Sequence, residues 1–161
     1  MQDELLLDVE PRKTCVPVSS DTGLTVVQIA FDGGCVPNPG RMYGSYISTI
    51  DGIQLCARNR FEIGHGTNNV AEWSSLILAL GETICTLEDK GLDLKKHRAF
   101  VVTDSNNVLY RLVRKNRIIK KFPSSQKMFE LANQAKEHLA RFAEYTAEWQ
   151  PRELMVERFG H

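Results

Sequence analysis

The sequence predicts an α/β domain in which a mixed five-stranded sheet is covered by helices. Three observations carry that prediction. Two short apolar runs, TVVQIAFD and AFVVTD, each close on an aspartate; a long amphipathic stretch lies between them; and an Asp51-Gly52 dipeptide separates two further apolar segments.

The elements follow in chain order. Residues 1–24 mix acids, prolines and small polar residues without periodicity and read as a flexible tail, which leaves 25–161 as the folded domain. The run from Thr25 to Phe31 is short and rich in β-branched residues, as buried strands are, and places Asp32 at its C-terminal end. Tyr43 to Ile50 and Ile53 to Phe61 should pair antiparallel, because Asp-Gly suits a type I′ turn whose central residues both need positive φ. From Asn69 to about Leu87, Val70, Trp73, Leu76, Ile77, Leu80 and Ile84 recur at three and four, the period of a helix with one buried face, with Asn68 or Asn69 as its N-cap. Ala99 to Asp104 repeats the first strand pattern, and a helix should open near Ser105 and Asn106. Past Pro123 and Ser124 another helix is predicted, with Met128, Leu131, Ala132, Ala135, Leu139 and Phe142 on one face. Tyr145 to Trp149 reads as a last strand, and the segment after Pro151 as helical to the end. The order β-β-β-α-β-α-α-β-α suits a sheet of three antiparallel strands followed by parallel ones.

Composition limits the function. At 161 residues the chain is about one domain long, and 42% hydrophobic with 25% charged residues is ordinary for a globular protein. No apolar run approaches the ~18 residues of a membrane span, and the acidic start lacks the basic flank and cleavage pattern of a signal peptide, so a cytoplasmic protein without a membrane partner is expected. Cys15, Cys35, Cys56 and Cys85 are far apart with no C-x-x-C pair, which argues for free thiols and against a zinc site. Lys plus Arg equals Asp plus Glu at 20 each, so no global field attracts polyanions. Locally the balance tips: residues 105–129 hold no acid and seven bases, Arg111, Arg114, Lys115, Arg117, Lys120, Lys121 and Lys127, which suits a phosphate backbone or a solvated face.

Glu72, in the first turn of the long helix and close to its apolar face, is costly there unless solvated, paired or bound to a cation. Beside Asp32 and Asp104 it would complete a three-carboxylate cluster, and a cluster that repels itself makes sense mainly around divalent metals. Oxygen donors without cysteine or paired histidine favour Mg²⁺ or Mn²⁺, and two such ions can activate a water and stabilise the leaving oxygen of a phosphodiester. Aspartates at strand ends also cap following helices, which is the alternative.

The set FDGGCVPNPG, GHGTNNVAEWSSLILAL and VVTDSNNV resembles the ribonuclease H type 1 family of the RNase H-like superfamily, from about Thr25 to the C-terminus. The resemblance implies an RNase H-like fold and a metal-dependent endoribonuclease that hydrolyses the RNA strand of RNA/DNA hybrids, leaving 5′-phosphate and 3′-hydroxyl ends, as a monomer. It also implies that Asp32, Glu72 and Asp104 hold two Mg²⁺ ions, with Mn²⁺ as a substitute. The substrate contacts it implies are Gly33 and Gly34, Asn38 in the N-P-G loop, Thr67, Asn68 and Asn69 before the helix, and Asn106 after Asp104. Amides and a glycine-rich backbone suit a 2′-OH, which both donates and accepts; capping and turn-filling are the plain alternative.

The ending departs from the family. Members usually carry an asparagine and, four residues later, an aspartate on the last helix; in WQPRELMVERFGH those places fall to Met155 and Phe159. The nearest donors are Glu157 and His161, four apart on one face. We assign His161 as the fourth ligand, since related nucleases, some Holliday-junction resolvases among them, use histidine at this corner; Glu157, or no ligand, is the alternative. The histidine-bearing loop of bacterial members is replaced by the short Pro151-Arg152 turn, where Arg152 would hold a phosphate or pair with Glu148 or Glu153. His65, just before Thr67, is a further candidate to approach the site, with a structural or solvated loop histidine as the more usual alternative. The stretch RLVRKNRIIKKFP, containing Lys115, Arg117, Lys120 and Lys121, reads as a compact backbone-gripping element. Two other readings remain: a non-catalytic nucleic-acid-binding module, and a nuclease of this fold with a different substrate.

Overall fold

The structure is a computed structural model that describes residues 23–160. Most of the expected tail and His161 therefore lie outside the described residues.

The sheet has the strand order β3-β2-β1-β4-β5. Strand β1 (Thr25–Val36) sits at its centre, antiparallel to β2 (Gly40–Ile50) and parallel to β4 (His97–Thr103). Strand β3 (Ile53–Gly66) pairs antiparallel with β2, and β5 (Glu144–Trp149) parallel with β4. This is the expected mixed sheet. Asp51 and Gly52 both take positive φ, 51° and 77°, as the predicted hairpin turn requires.

Strands run longer than expected, β2 starting at Gly40 and β4 at His97, with the largest extensions in β1 and β3. The sequence breaks at Gly33-Gly34 and at Phe61, yet β1 continues to Val36 and β3 to Gly66, because the β1–β2 and β2–β3 ladders persist through Gly33↔Gly44 and Arg41↔His65. Asp32 is thus inside a strand. It still lies at an edge of the parallel region, since β1–β4 pairing stops at Ala30↔Val102.

Alternation divides the core between the two faces. Val27, Ile29, Phe31 and Val101 point to the side covered by α1 (Asn68–Asp89), α2 (Asn106–Val113) and α3 (Ser124–Leu139), where Trp73, Leu76, Leu80, Met128 and Leu139 are buried. Ala30 and Val102 point the other way and pack on Met155 and Phe159 of α4 (Arg152–Phe159), with Ile47 and Phe100 at the margin. Contrary to the expectation that no apolar run approaches a membrane span, helix α1 has the length and hydropathy of one, and in this fold it is the central core helix. Every residue of the predicted α3 face is buried, Phe142 just past the helix end. Cys35, Cys56 and Cys85 are free thiols.

Candidate metal centre and nucleic-acid cleft

Backbone contact at Gly33 positions the site. A Cβ at Gly33 would stand 2.5 Å from the carbonyl carbon and oxygen of Ala71 and 2.7 Å from the Glu72 nitrogen, so α1 rests its first turn directly on β1. That approach brings Glu72 to the carboxylates on the strands. Asp32 shares its sheet face with Ala30, and Asp104 follows Val102 just past β4. One carboxylate oxygen from each of Asp32, Glu72 and Asp104 lies within 4.8 Å of the others.

The surroundings make the cluster tense. Asp32 is only 4% exposed, with the Gly33 N–H donating to its Oδ1 at 2.9 Å. Burial pushes the Glu72 carboxyl up to about 8; repulsion from Asp104 and then Asp32 adds to the rise, and a Ser105 hydrogen bond and Arg152 relieve part of it. Asp104 is also raised, first by burial and then by Asp32, with Arg152 opposing. Crowded, half-buried oxygen donors of one sign fit a divalent cation.

Flanking contacts fix the strand ends. Trp149 Nε1 donates to the Asp104 carbonyl at 3.1 Å, and the Gln150 N–H to the Thr103 carbonyl at 2.8 Å. Ser105, as predicted, opens α2: its Oγ caps it by accepting from the Val108 N–H.

The N-cap of α1 is Thr67, whose Oγ1 accepts from the Val70 N–H, and not Asn68 or Asn69. The reason is that the Asn68 side-chain oxygen is engaged elsewhere, accepting from the Cys35 N–H at 2.8 Å and from Cys35 Sγ. Asn38 Oδ1 in turn accepts from the Asn68 N–H and from Cys35 Sγ. Asn38, Asn68 and Cys35 thereby tie the β1–β2 turn to the start of α1, and among the described residues neither asparagine's amide N–H₂ has a protein partner. Asn106 Oδ1 is buried without a hydrogen-bond partner.

A cleft of about 460 Å³ opens over the site, lined by Asp32, Gly34, Glu72 and Asn68, with Tyr43, Arg60 and Arg152 on its walls. A second depression of about 400 Å³ shares Asn68 with it and adds Asn38, Thr67, Asn69, Ser124 and Met128. Ser124 directly follows the basic segment, in which Lys115, Arg117, Lys120 and Lys121 are exposed. Arg111 departs from the basic-cluster reading: it is fully buried and donates to Asn107, Asn116 and the Arg117 carbonyl, holding the segment in place.

Helix α4 gives no carboxylate to the cluster. Met155 and Phe159 are buried on its apolar side, Glu157 is exposed and stands outside the cluster, and His161 lies outside the described residues. Arg152 pairs with neither Glu148 nor Glu153; its Nη1 stands 3.4 Å from both Asp32 Oδ1 and Asp104 Oδ2. His65 is exposed on β3 opposite Arg41. Tyr43 and Arg60 were not singled out in the sequence. Arg60 takes φ 50° and lies 4.8 Å from the Tyr43 ring, a pairing created by the β2–β3 ladder and invisible along the chain.

A mixed sheet in this order, with helices on its faces and three carboxylates meeting beside its central strand, defines the RNase H-like class. No family model matches the chain. It is 32% identical over 127 residues to the bifunctional protein Rv2228c of Mycobacterium tuberculosis, covering 78% of this chain and 31% of that protein, so the chain spans about a third of the length of the curated relatives it matches. The solved N-terminal RNase H domain of Rv2228c superimposes with a TM-score of 0.65 at 26% identity, covering 84% of this chain and 90% of that one. LC11-RNase H1, solved in complex with an RNA/DNA hybrid, gives 0.63 at 26% identity over 81% and 89%. The fold and these likenesses support an RNase H-like family for the chain.

Proposed function

We propose that this chain is an endoribonuclease that hydrolyses the RNA strand of RNA/DNA hybrids with a divalent metal. The observation that carries the reading is the convergence of Asp32, Glu72 and Asp104, two of which line a cleft that also takes in Asn68. These three side chains are the residues that would hold Mg²⁺ or Mn²⁺, which when bound supplies Lewis-acid activation of water and charge stabilisation at the phosphate.

The chain's own residues do the rest. The unpartnered amides of Asn38 and Asn68 offer donors for 2′-hydroxyls and sugar edges. Gly33 and Gly34 keep the backbone beside Asp32 free of side chains, which lets a phosphodiester approach. Thr67 and Asn69 line the neighbouring depression, toward the exposed bases. Replacing Lys115, Arg117, Lys120 and Lys121 together by glutamine is expected to weaken hybrid binding and to flatten its salt dependence by roughly 0.9 in slope per lost phosphate contact. An unchanged slope in a salt titration would place the hybrid elsewhere.

Cleavage of a labelled RNA/DNA hybrid, with double-stranded RNA and DNA alongside, tests the whole reading. Asp32→Asn should reduce hybrid cutting on the order of a thousandfold or more, since it removes a metal ligand that supports several kcal/mol of transition-state stabilisation. The apolar Met155–Phe159 corner is the observation that favours the competing reading, a binding module without turnover. Hybrid binding with no cutting in either Mg²⁺ or Mn²⁺ would put that reading in place of ours.

A further inference from the structure

A strained arginine stands on the cleft wall, two strands across the sheet from Asp32. Between the pairs Gly44↔Phe61 and Tyr46↔Arg58, Asn59 and Arg60 of β3 together face Ser45 of β2, which makes this place a β-bulge. Arg60 takes φ 50° there, in the left-handed region that side chains other than glycine and asparagine rarely adopt. The buried Ser45 hydroxyl holds it, accepting from the Arg60 N–H at 2.8 Å and donating to Asn59 Oδ1 at 3.0 Å. Strain of this kind persists only where the surroundings over-determine it, and it gathers at ligand-binding positions.

The bulge aims the side chain. The Arg60 guanidinium lies over the Tyr43 ring, 4.8 Å from its centre, and Tyr43 pairs with Gly34, which shares a face of β1 with Asp32. Asp32 itself pairs with Ser45, so the Arg60 backbone stands about 10 Å from that of Asp32 at ordinary strand spacing. The bases that line the cleft are Arg60 and Arg152; Arg41 is taken up by Glu62 at 3.2 Å, and Arg58 lies on Phe61. Among the described residues no carboxylate engages the Arg60 guanidinium. A guanidinium stacked on a ring keeps its in-plane N–H donors, the geometry that phosphate accepts.

We propose that Arg60, stacked on Tyr43, binds a backbone phosphate of the RNA strand that is cut, a neighbour of the scissile phosphate along that strand. The inference rests on the hydrolase reading above and extends it from the carboxylates to the path of the substrate toward the β3 edge. The stack pins the guanidinium beside Tyr43, so it contributes to holding the hybrid and not to the bond-breaking step. The bulge and its positive φ are what place it there, which is why this segment keeps an arginine where glycine would be the relaxed choice.

The test uses the full chain and a labelled RNA/DNA hybrid. Affinity is measured across a salt series in the slow-cutting Asp32→Asn protein, with and without Arg60→Gly, and cleavage with Mg²⁺ is compared between wild type and Arg60→Gly. Arg60→Gly is expected to weaken hybrid binding about fivefold and to reduce the salt slope by roughly 0.9. KM should rise by a similar factor while kcat stays within about twofold. Arg60→Lys should keep the salt slope. Because glycine accepts a positive φ, the melting temperature of Arg60→Gly should hold or rise. A single uncharged methylphosphonate linkage, moved along each strand in turn, locates the phosphate: at one RNA linkage near the cleaved bond it should weaken binding to Asp32→Asn and leave Asp32→Asn/Arg60→Gly unmoved. Affinity and salt slope unchanged by Arg60→Gly, or a linkage effect confined to the DNA strand, would overturn the proposal while leaving a cutting enzyme a hydrolase. A melting temperature lower by about 5 °C with an unchanged salt slope would overturn it too, making Arg60 a residue that only holds the fold. A wild type that neither binds nor cuts the hybrid would overturn both readings.

Discussion

Replacing Gly33 by alanine is expected to lower the melting temperature by roughly 10 °C and to weaken divalent-metal binding, whereas Gly34→Ala should do little to either. The two glycines are neighbours and neither needs a positive φ, so backbone freedom does not separate them. Space does. A Cβ at Gly33 meets the Ala71 carbonyl and the Glu72 nitrogen at 2.5 to 2.7 Å, and these are helix backbone atoms that cannot rotate aside. A Cβ at Gly34 meets only Asn68 Oδ1, at an ordinary 3.7 Å. Relief at Gly33 requires α1 to lift from β1, which costs about 3 kcal/mol by comparison with overpacked cores. The same movement carries Glu72 away from Asp32 and Asp104. Thermal melts with and without Mg²⁺ read both consequences. A Gly33→Ala protein as stable as wild type, with an unchanged Mg²⁺-induced rise in melting temperature, would mean that the α1–β1 contact does not set the cluster.

That contact also marks where sequence reading stops. Element types and order were legible because each rests on local signals: the 3.6-residue period of α1 and α3, the Asp51-Gly52 turn, and the apolar runs of β1 and β4. Strand ends were not, since Gly33 to Val36 and Glu62 to Gly66 are held by the ladders on β2 and not by their own propensity. The three carboxylates were legible because two aspartates at strand ends and one acid near an apolar helix face each violate the usual pattern. The N-cap went to Thr67 because Asn68 was drawn to Cys35, 33 residues away, a competition no local rule contains. Arg111 looked like its basic neighbours yet is buried, and Arg152 looked ready to pair with nearby glutamates yet reaches Asp32, 120 residues distant. Long side chains report their partners only when the chain is folded.

The metal-free protein is expected to lose stability as pH rises from about 5 to 8.5, on the order of a few kcal/mol, and Glu72→Gln should remove most of that loss. The sign follows from which form the fold prefers. Burial first, then Asp104 and Asp32, raise the Glu72 carboxyl from the ordinary 4.5 to about 8 against the partial relief of Ser105 and Arg152. A raised carboxyl means that the folded chain binds a proton which the unfolded chain releases. Its contribution is therefore fully present below about 4.5 and disappears as pH passes through 8. Asp104, raised in the same direction, adds to the slope. Glutamine has nearly the same shape and no proton to lose, so it holds the protonated-state packing at every pH. A divalent cation reverses the trend by binding the deprotonated cluster: at pH 7 its addition should raise the melting temperature and release a proton, measurable as a dependence of binding heat on the buffer's ionisation enthalpy. A flat stability profile in the wild type, or the same slope in Glu72→Gln, would show that Glu72 is solvated and already charged at neutral pH. The carboxylates would then lack the electrostatic tension from which cation binding draws its strength.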